Sequence, residues 1–308
     1  MAGLLPPWHA RPGTGTVAGS AESARRSAPS RVARCSRRHL WCSIPDDRAP
    51  MMSLANFVRA HRRFVVAHRG ASAIAPENTL AAIESAIATG VPMVEVDVQL
   101  TSDGQVVLFH DRTLGRTTSG HGRTHRITYT ELSKLDAGAW FDATYRGQRV
   151  PLLQDALELL REHQTYASIE IKAPADERED LRWRLERIAA IVEQCGMSEH
   201  VLFTSFHHRS LQVLRTVLPG CHTAAINVPG DRRLPSEIAR AIGCEAFVCS
   251  LRECTAWRIG DAVGSGLYVG VYTVNTARQL AHVLRYPVTA IVSNHPEFIL
   301  AQLAAQHT

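Results

Sequence analysis

Eight short apolar runs, separated by segments of helical spacing, constrain this chain more than any other feature. The runs are FVVAH (64–68), MVEVDV (93–98), ASIEIK (167–172), VLFTSF (201–206), TAAIN (223–227), AFVCS (246–250), YVGVYTV (268–274) and TAIVS (289–293). Their length and their β-branched and aromatic content read as strands. Helical pattern or composition covers 79–90, 152–163, 176–195, 210–218, 234–243, 256–266, 276–285 and 296–306, and several of these segments open on Thr, Ser or Pro and close on Gly. A closed parallel sheet needs a crossover helix after each strand, so this alternation predicts an α/β fold, a TIM (β/α)8 barrel occupying residues 60–305. An open doubly wound sheet is the alternative, and the first run lacks the GxGxxG that a dinucleotide-binding version would carry.

Two places interrupt the rhythm. After the second run, TSDG leads at once into QVVLFH, too few residues for a parallel connection, so 96–110 is expected to be a β-hairpin. With Ser102 and Asp103 as a two-residue turn, Thr101 faces Gly104, Asp97 faces Leu108 and Glu95 faces His110, placing Glu95, Asp97 and His110 on one face. Residues 112–149 lack strong apolar periodicity and form a small insertion after this hairpin, expected over the barrel mouth. A lid that contributes to specificity and a purely structural excursion are both open for it.

Charge is unevenly placed. Residues 1–50 hold eight Arg and three acids, leaving 34 − 8 = 26 basic against 29 − 3 = 26 acidic residues from Met51 onward. The folded part is therefore neutral, and no nucleic-acid partner is indicated. The Arg/Ser-rich first fifty residues lack a periodic apolar face and are expected to be disordered. They read either as an organellar transit peptide or, preferably, as a translated upstream region before a start at Met51 or Met52. No stretch approaches the ~20 apolar residues of a membrane span, and a cytoplasmic location is expected. Seven cysteines occur without a CxxC pair, and Cys244, Cys249 and Cys254 match no zinc spacing, so buried reduced thiols are expected.

Chemistry belongs at the carboxyl ends of barrel strands. His68 and Arg69 close the first strand, Glu95 and Asp97 lie two apart on the second, and Glu170 and Lys172 repeat that spacing on the next. Singly, each has a structural explanation. Together, three inward carboxylates in an apolar barrel would be costly without a cation, and their oxygens suit a hard divalent ion, Mg²⁺ or Ca²⁺, with Mn²⁺ also compatible. Arg69 and Lys172 add positive charge suited to a phosphate, and His68 and His110 can serve as base and acid near neutral pH. Phosphodiester cleavage uses all of these parts.

The ordered strings AHRG (67–70), PENT (76–79), VEVDVQLTSDGQVVLFHD (94–111), IEIK (169–172) and VYTVN (271–275) resemble the glycerophosphodiester phosphodiesterase family, within the phospholipase-C-like phosphodiesterase superfamily. The resemblance spans Phe64 to about Leu300. It implies a TIM barrel with an insertion after the HD motif, and metal-dependent hydrolysis of glycerophosphodiesters to glycerol 3-phosphate and an alcohol. By matching motif, His68 and His110 would be the acid/base pair, Arg69 and Lys172 phosphate ligands, and Glu95, Asp97 and Glu170 ligands of one divalent cation. Glu77 and Asn78 would mostly order the first βα loop, with Glu77 able to bond near the metal. In the superfamily a neighbouring glycerol hydroxyl can attack phosphorus before water opens the cyclic product. Three departures stand out: Tyr272 where the family commonly has Trp, one added residue before the proline in EIKAP, and His295 within SNHP (293–296). Tyr272 keeps an aromatic substrate wall. The competing readings are a lysophospholipase D of the same superfamily and a non-catalytic ligand-binding barrel. The neutral body and absence of an apolar anchor favour a small, water-soluble substrate.

Overall fold

The computed structural model describes residues 50–175 and 180–305. The extension expected to be disordered lies, apart from Pro50, outside the described residues, as do Cys35 and Cys42. The described chain runs α1 (Leu54–Ala60), β1 (Phe64–His68), α2 (Leu80–Ala88), β2 (Met93–Leu100), β3 (Val106–Leu108), α3 (Tyr129–Leu132), α4 (Leu153–Glu162), β4 (Tyr166–Ile171), α5 (Leu181–Gln194), β5 (Val201–Ser205) and α6 (His208–Val217). It continues β6 (His222–Ile226), α7 (Pro235–Ile242), β7 (Ala246–Ser250), α8 (Ala256–Gly264), β8 (Tyr268–Tyr272), α9 (Ala277–Val283), β9 (Ala290–Ser293) and α10 (Pro296–Ala304). No helix among the described residues is long and apolar enough to cross a membrane.

Eight parallel strands close into a barrel: β1 pairs with β2 on one side and with β9 on the other, and the remaining strands follow in sequence order. The expected TIM barrel is present, with β3 as an additional antiparallel strand. Period-two alternation sorts each strand between two environments. Val65, Ala67, Val94, Val96, Ala167 and Ile169 pack with helix residues such as Ile83, Leu157, Ile188, Leu211 and Ile259. Phe64, Val66, Met93, Tyr166 and Val292 turn the other way and form a second cluster with Leu54 and Phe57. Helix α1, which the periodicity did not announce, thus packs against the barrel strands. Ser53 caps it, and the Tyr166 hydroxyl donates to the Met52 carbonyl at 2.8 Å. The five cysteines within the described residues are free and buried.

The hairpin differs from its expected register by one residue. Val98 pairs with Leu108 and Leu100 with Val106, and the loop has three residues, with the Gly104 N–H donating to the Thr101 carbonyl at 3.0 Å. Gly104 has φ +74°, the left-handed position that a three-residue hairpin loop requires and that glycine takes without strain. One edge of β2 is divided: β1 occupies residues 93–95 and β3 occupies 98–100. The insertion has its own small core, Leu114, Leu132, Ala137 and Val150 packed on Val107 and Phe109.

Candidate active site

The loop that follows β1 is shaped by two consecutive residues with positive φ, Arg69 (+57°) and Gly70 (+80°). A Cβ on Gly70 would lie 2.5 Å from the carbonyl carbon of Ala82, so only glycine lets the loop rest on α2. A left-handed arginine is uncommon and costs about 1 kcal/mol or more. Here it directs the Arg69 backbone N–H onto Glu95 Oε2 at 2.9 Å. Asn78, also at φ +57°, donates its backbone N–H to the Arg69 carbonyl at 3.1 Å. Its side-chain amide then grips Asp97 twice, Nδ2 donating to Oδ2 at 2.8 Å and Oδ1 accepting from the Asp97 N–H at 3.1 Å. Of the two PENT residues, it is Asn78 that touches the carboxylate cluster. Glu77 turns to Arg69 Nη1 at 2.8 Å and to Arg116.

Glu95, Asp97 and Glu170 are all buried, and one oxygen from each lies within 4.8 Å of the others. Two cations reach them. Lys172 Nζ sits 2.6 Å from Asp97 Oδ1 and also contacts Glu170 Oε1, while Arg69 Nε lies 3.1 Å from Asp97 Oδ2. Glu95 has no salt-bridge partner among the described residues, and its Oε1 is a buried acceptor without a hydrogen bond. Burial, then the charges of Asp97 and Glu170, raise the Glu95 pKa well above the ordinary range. Burial pushes Asp97 up as well, but Lys172 and Arg69 outweigh it and hold Asp97 well below the usual carboxylate value. Glu170 is raised by burial and by Asp97. Burial works against the Lys172 charge, yet Asp97 and Glu170 raise its pKa. Three carboxylates against two cations, with Glu95 Oε1 met by neither a hydrogen bond nor an ion pair, is a donor set that fits a hard divalent ion.

The two histidines have different partners. His68 Nδ1 is 2.6 Å from Asn294 Oδ1, just beyond β9. An amide oxygen only accepts, so Nδ1 carries the proton and Nε2 presents its lone pair. Burial and then Arg69 lower the His68 pKa to about 4. His110 Nδ1 is 2.6 Å from Asp111 Oδ1, a charged acceptor. Burial is the leading cause that lowers the His110 pKa, Lys172 and Arg69 add to it, and Asp97 and Asp111 oppose it.

In the observed register His110 would follow Leu108 and face away from Asp97, so simple alternation does not bring it to the carboxylates. Strand pairing instead stops at Leu108, the Phe109 N–H bonds the Asp97 carbonyl at 2.9 Å, and the chain turns. Gln99 Nε2 holds this turn, facing the carbonyls of Phe109, His110 and Asp111 at 3.0, 3.0 and 2.6 Å. Gln99 and Asn294 were both missed by the motif reading. Gln99 could have been found by continuing the 95, 97 alternation one step, and Asn294 by asking what polar residue ends the last strand.

His68, Arg69, Glu95, His110, Glu170 and Tyr272 line one cavity of about 250 Å³. Tyr272 meets Phe206 edge-on with ring centroids 6.2 Å apart, giving the mouth an aromatic wall, and burial raises its phenol pKa. Lys172 opens, with His110 and Glu170, onto an adjoining cavity of about 260 Å³. His295 donates its backbone N–H to Ser293 Oγ at 3.0 Å and leads into α10.

Residues 68–298 match the profile of the glycerophosphoryl diester phosphodiesterase family. A glycerophosphodiester phosphodiesterase of Caldanaerobacter subterraneus subsp. tengcongensis is 30% identical over 243 residues, covering 78% of this chain and 97% of the relative. One from Bacillus subtilis is 30% identical over 264 residues, covering 80% and 88%. Among solved structures, an Oleispira antarctica phosphodiesterase in complex with the product sn-glycerol-3-phosphate aligns with TM-score 0.71 at 28% identity, over 78% of this chain and 96% of that one. The glycerophosphodiester phosphodiesterase of Agrobacterium tumefaciens aligns with TM-score 0.68 at 28% identity, over 78% and 99%. The chain belongs to the glycerophosphoryl diester phosphodiesterase family, whose members are phosphoric diester hydrolases.

Proposed function

We propose that the protein hydrolyses water-soluble glycerophosphodiesters to glycerol 3-phosphate and an alcohol, with Glu95, Asp97 and Glu170 holding one divalent cation. The observation that carries this is the convergence of three buried carboxylates within 4.8 Å beside Arg69, Lys172 and two differently partnered histidines. A bound divalent ion supplies Lewis-acid polarisation of a phosphoryl oxygen.

The chain's own residues do the rest. Arg69 and Lys172 draw the phosphodiester anion to the mouth and hold the charge that grows on its oxygens. His68 stays neutral at pH 7 and offers Nε2 to the proton of the attacking hydroxyl, from water or the neighbouring glycerol position. His110 is backed at Nδ1 by the Asp111 carboxylate, which opposes the lowering of its pKa by burial; in its imidazolium form it gives the Nε2 proton to the departing alkoxide and is left as the Nδ1–H ring. Asn294 carries no charge, so the asymmetry between the two partners divides base from acid. Tyr272 and Phe206 wall the cavity on the side where the organic part of the substrate lies.

The test is release of glycerol 3-phosphate from a panel of glycerophosphodiesters and lysophospholipids with Mg²⁺, Ca²⁺ or Mn²⁺ supplied in turn. Turnover of the deacylated diesters that disappears on exhaustive chelation is expected. Preference for the lysolipids would replace the substrate class, and full activity after chelation would remove the ion.

A further inference from the structure

One side chain of the insertion, Arg116, bonds two loops of the active site at once. Its guanidinium spans two loops that share no other link through their acidic side chains among the described residues. Towards the loop after β1, Nη1 donates to Glu77 Oε2 at 2.8 Å and Nη2 to Glu77 Oε1 at 2.7 Å. Towards the segment after β3, Nε donates to Asp111 Oδ2 at 2.6 Å and Nη2 to Asp111 Oδ1 at 3.0 Å. Each carboxylate is gripped by both of its oxygens, an arrangement that only a planar fork of N–H donors can make.

The two acids are themselves bonded onward. Glu77 Oε1 accepts from Arg69 Nη1 at 2.8 Å, and Asp111 Oδ1 accepts from His110 Nδ1 at 2.6 Å. An unbroken sequence of charged contacts therefore runs Asp97, Arg69, Glu77, Arg116, Asp111, His110. Its middle member is anchored: Arg116 ends a 3₁₀ turn, Leu114–Arg116, whose Leu114 is fully buried in the insertion's core.

We propose that Arg116 is a positioning residue that clamps the Arg69 and His110 loops into a single geometry and holds the His110 ring in its Nδ1–H form. The proposal rests on the reading of Arg69 and His110 as phosphate ligand and proton donor. Arg116 is 44% exposed, so it contributes little to stability. Its effect lies in geometry, because one rigid planar fork bonds both carboxylates at once and so fixes the two loops relative to each other. The insertion then acts as a brace, in place of a lid.

The experiment compares Arg116→Ala, Arg116→Lys, Asp111→Asn and the Arg116→Ala/Asp111→Asn double variant in the full chain with its divalent ion. Arg116→Ala is expected to lower kcat about 10- to 100-fold, as loss of a residue supporting site ligands does, with KM changed by less than about threefold. Lys has no fork and restores only part of the loss. The double variant is expected to lose less than the product of the two single losses, because both singles break the Arg116–Asp111 contact, while the Glu77 arm is lost only with Arg116.

Imidazole ¹⁵N NMR, with His110→Ala used to assign the resonance, reads the tautomer independently of turnover. His110 is expected to be protonated at Nδ1 in the wild type and mixed in Arg116→Ala. If the wild type turns over no glycerophosphodiester, the functional proposal fails while this spectrum still tests the clamp. Unchanged kcat, full rescue by Lys, multiplying losses in the double variant, or an unchanged tautomer would each overturn it. Should Arg116→Ala not fold, Arg116→Gln, which keeps the apolar stem, takes its place.

Discussion

Glu95→Gln separates the cost of the carboxylate cluster from its use. Glu95, Asp97 and Glu170 bring three charges against the two of Arg69 and Lys172, and both cations are engaged with Asp97 or Glu170. Glu95 keeps only the Arg69 backbone N–H, with Oε1 unbonded. Replacing it by Gln preserves an acceptor for that N–H and removes a buried like charge, so the ion-free variant is expected to melt at or above the wild type. With ion the order reverses. At a free concentration 100 times Kd, a ligand that binds only the folded state stabilises by about 2.7 kcal/mol. At about 2 °C per kcal/mol for a body of this size, the wild type should gain about 5 °C over its chelated form. Glu95→Gln, with one of three ligands lost, should gain little.

Burial, Asp97 and Glu170 raise the Glu95 pKa, so protons compete with an incoming ion for this carboxylate at higher pH than for an ordinary Glu. The wild-type gain should therefore shrink as pH falls through that raised value, at a pH higher than the ordinary Glu value of about 4.3. Differential scanning fluorimetry across pH, with Mg²⁺, Ca²⁺, Mn²⁺ or chelator, reads all of this. An equal ion-dependent gain in Glu95→Gln, or none in the wild type with any of the three, would refute the assignment.

Gly70→Ala places a methyl group 2.5 Å from the Ala82 backbone at φ +80°, so it should cost about 2 to 5 kcal/mol in urea unfolding; a loss under about 1 kcal/mol would contradict the packing. Asn294→Ala removes the His68 Nδ1 partner and should lower kcat. Asn294→Asp keeps an acceptor but adds a negative charge, which should move the acid limb of kcat/KM to higher pH; a limb that stays in place would show that His68 is not the base. Away from the site, the Glu245 hydrogen bond raises the His222 pKa. A raised basic group stabilises below its unfolded pKa near 6.5 and loses that contribution as pH rises through the folded value. His222→Gln should therefore cost about 0.5 kcal/mol at pH 5.5 and nothing by pH 9; an equal cost at both would exclude the ion pair.

The strands were legible because burial on both faces demands unbroken apolar runs such as FVVAH, and because inward charge interrupts them only at Glu95, Asp97 and Glu170. The hairpin register was not, although Gly104 held the clue: a glycine closing the TSDG loop favours three residues over two. That single slip matters, since it would have delivered His110 by alternation when a broken strand and Gln99 deliver it. From sequence Asn78 reads as a loop residue, because its twofold grip on Asp97 depends on a left-handed backbone that sequence does not declare. Arg116 lay in a segment without periodicity, where only the tertiary meeting of Glu77 and Asp111 gives it a role. Helix α1 is seven residues long, too short to show a periodic face, and packs among residues far along the chain.

That last contact bears on synthesis. Phe57 shares its cluster with Val292, and the first strand closes the barrel by pairing with the last. At ribosomal speeds of about 5–20 residues per second, roughly 10 to 50 s separate the emergence of these partners. Throughout that interval the apolar side chains of α1 and one edge of β1 lack their final neighbours. The nascent chain is therefore most open to chaperone capture, or to pairing with another copy, at its beginning, and release of the C-terminal strand ends that exposure.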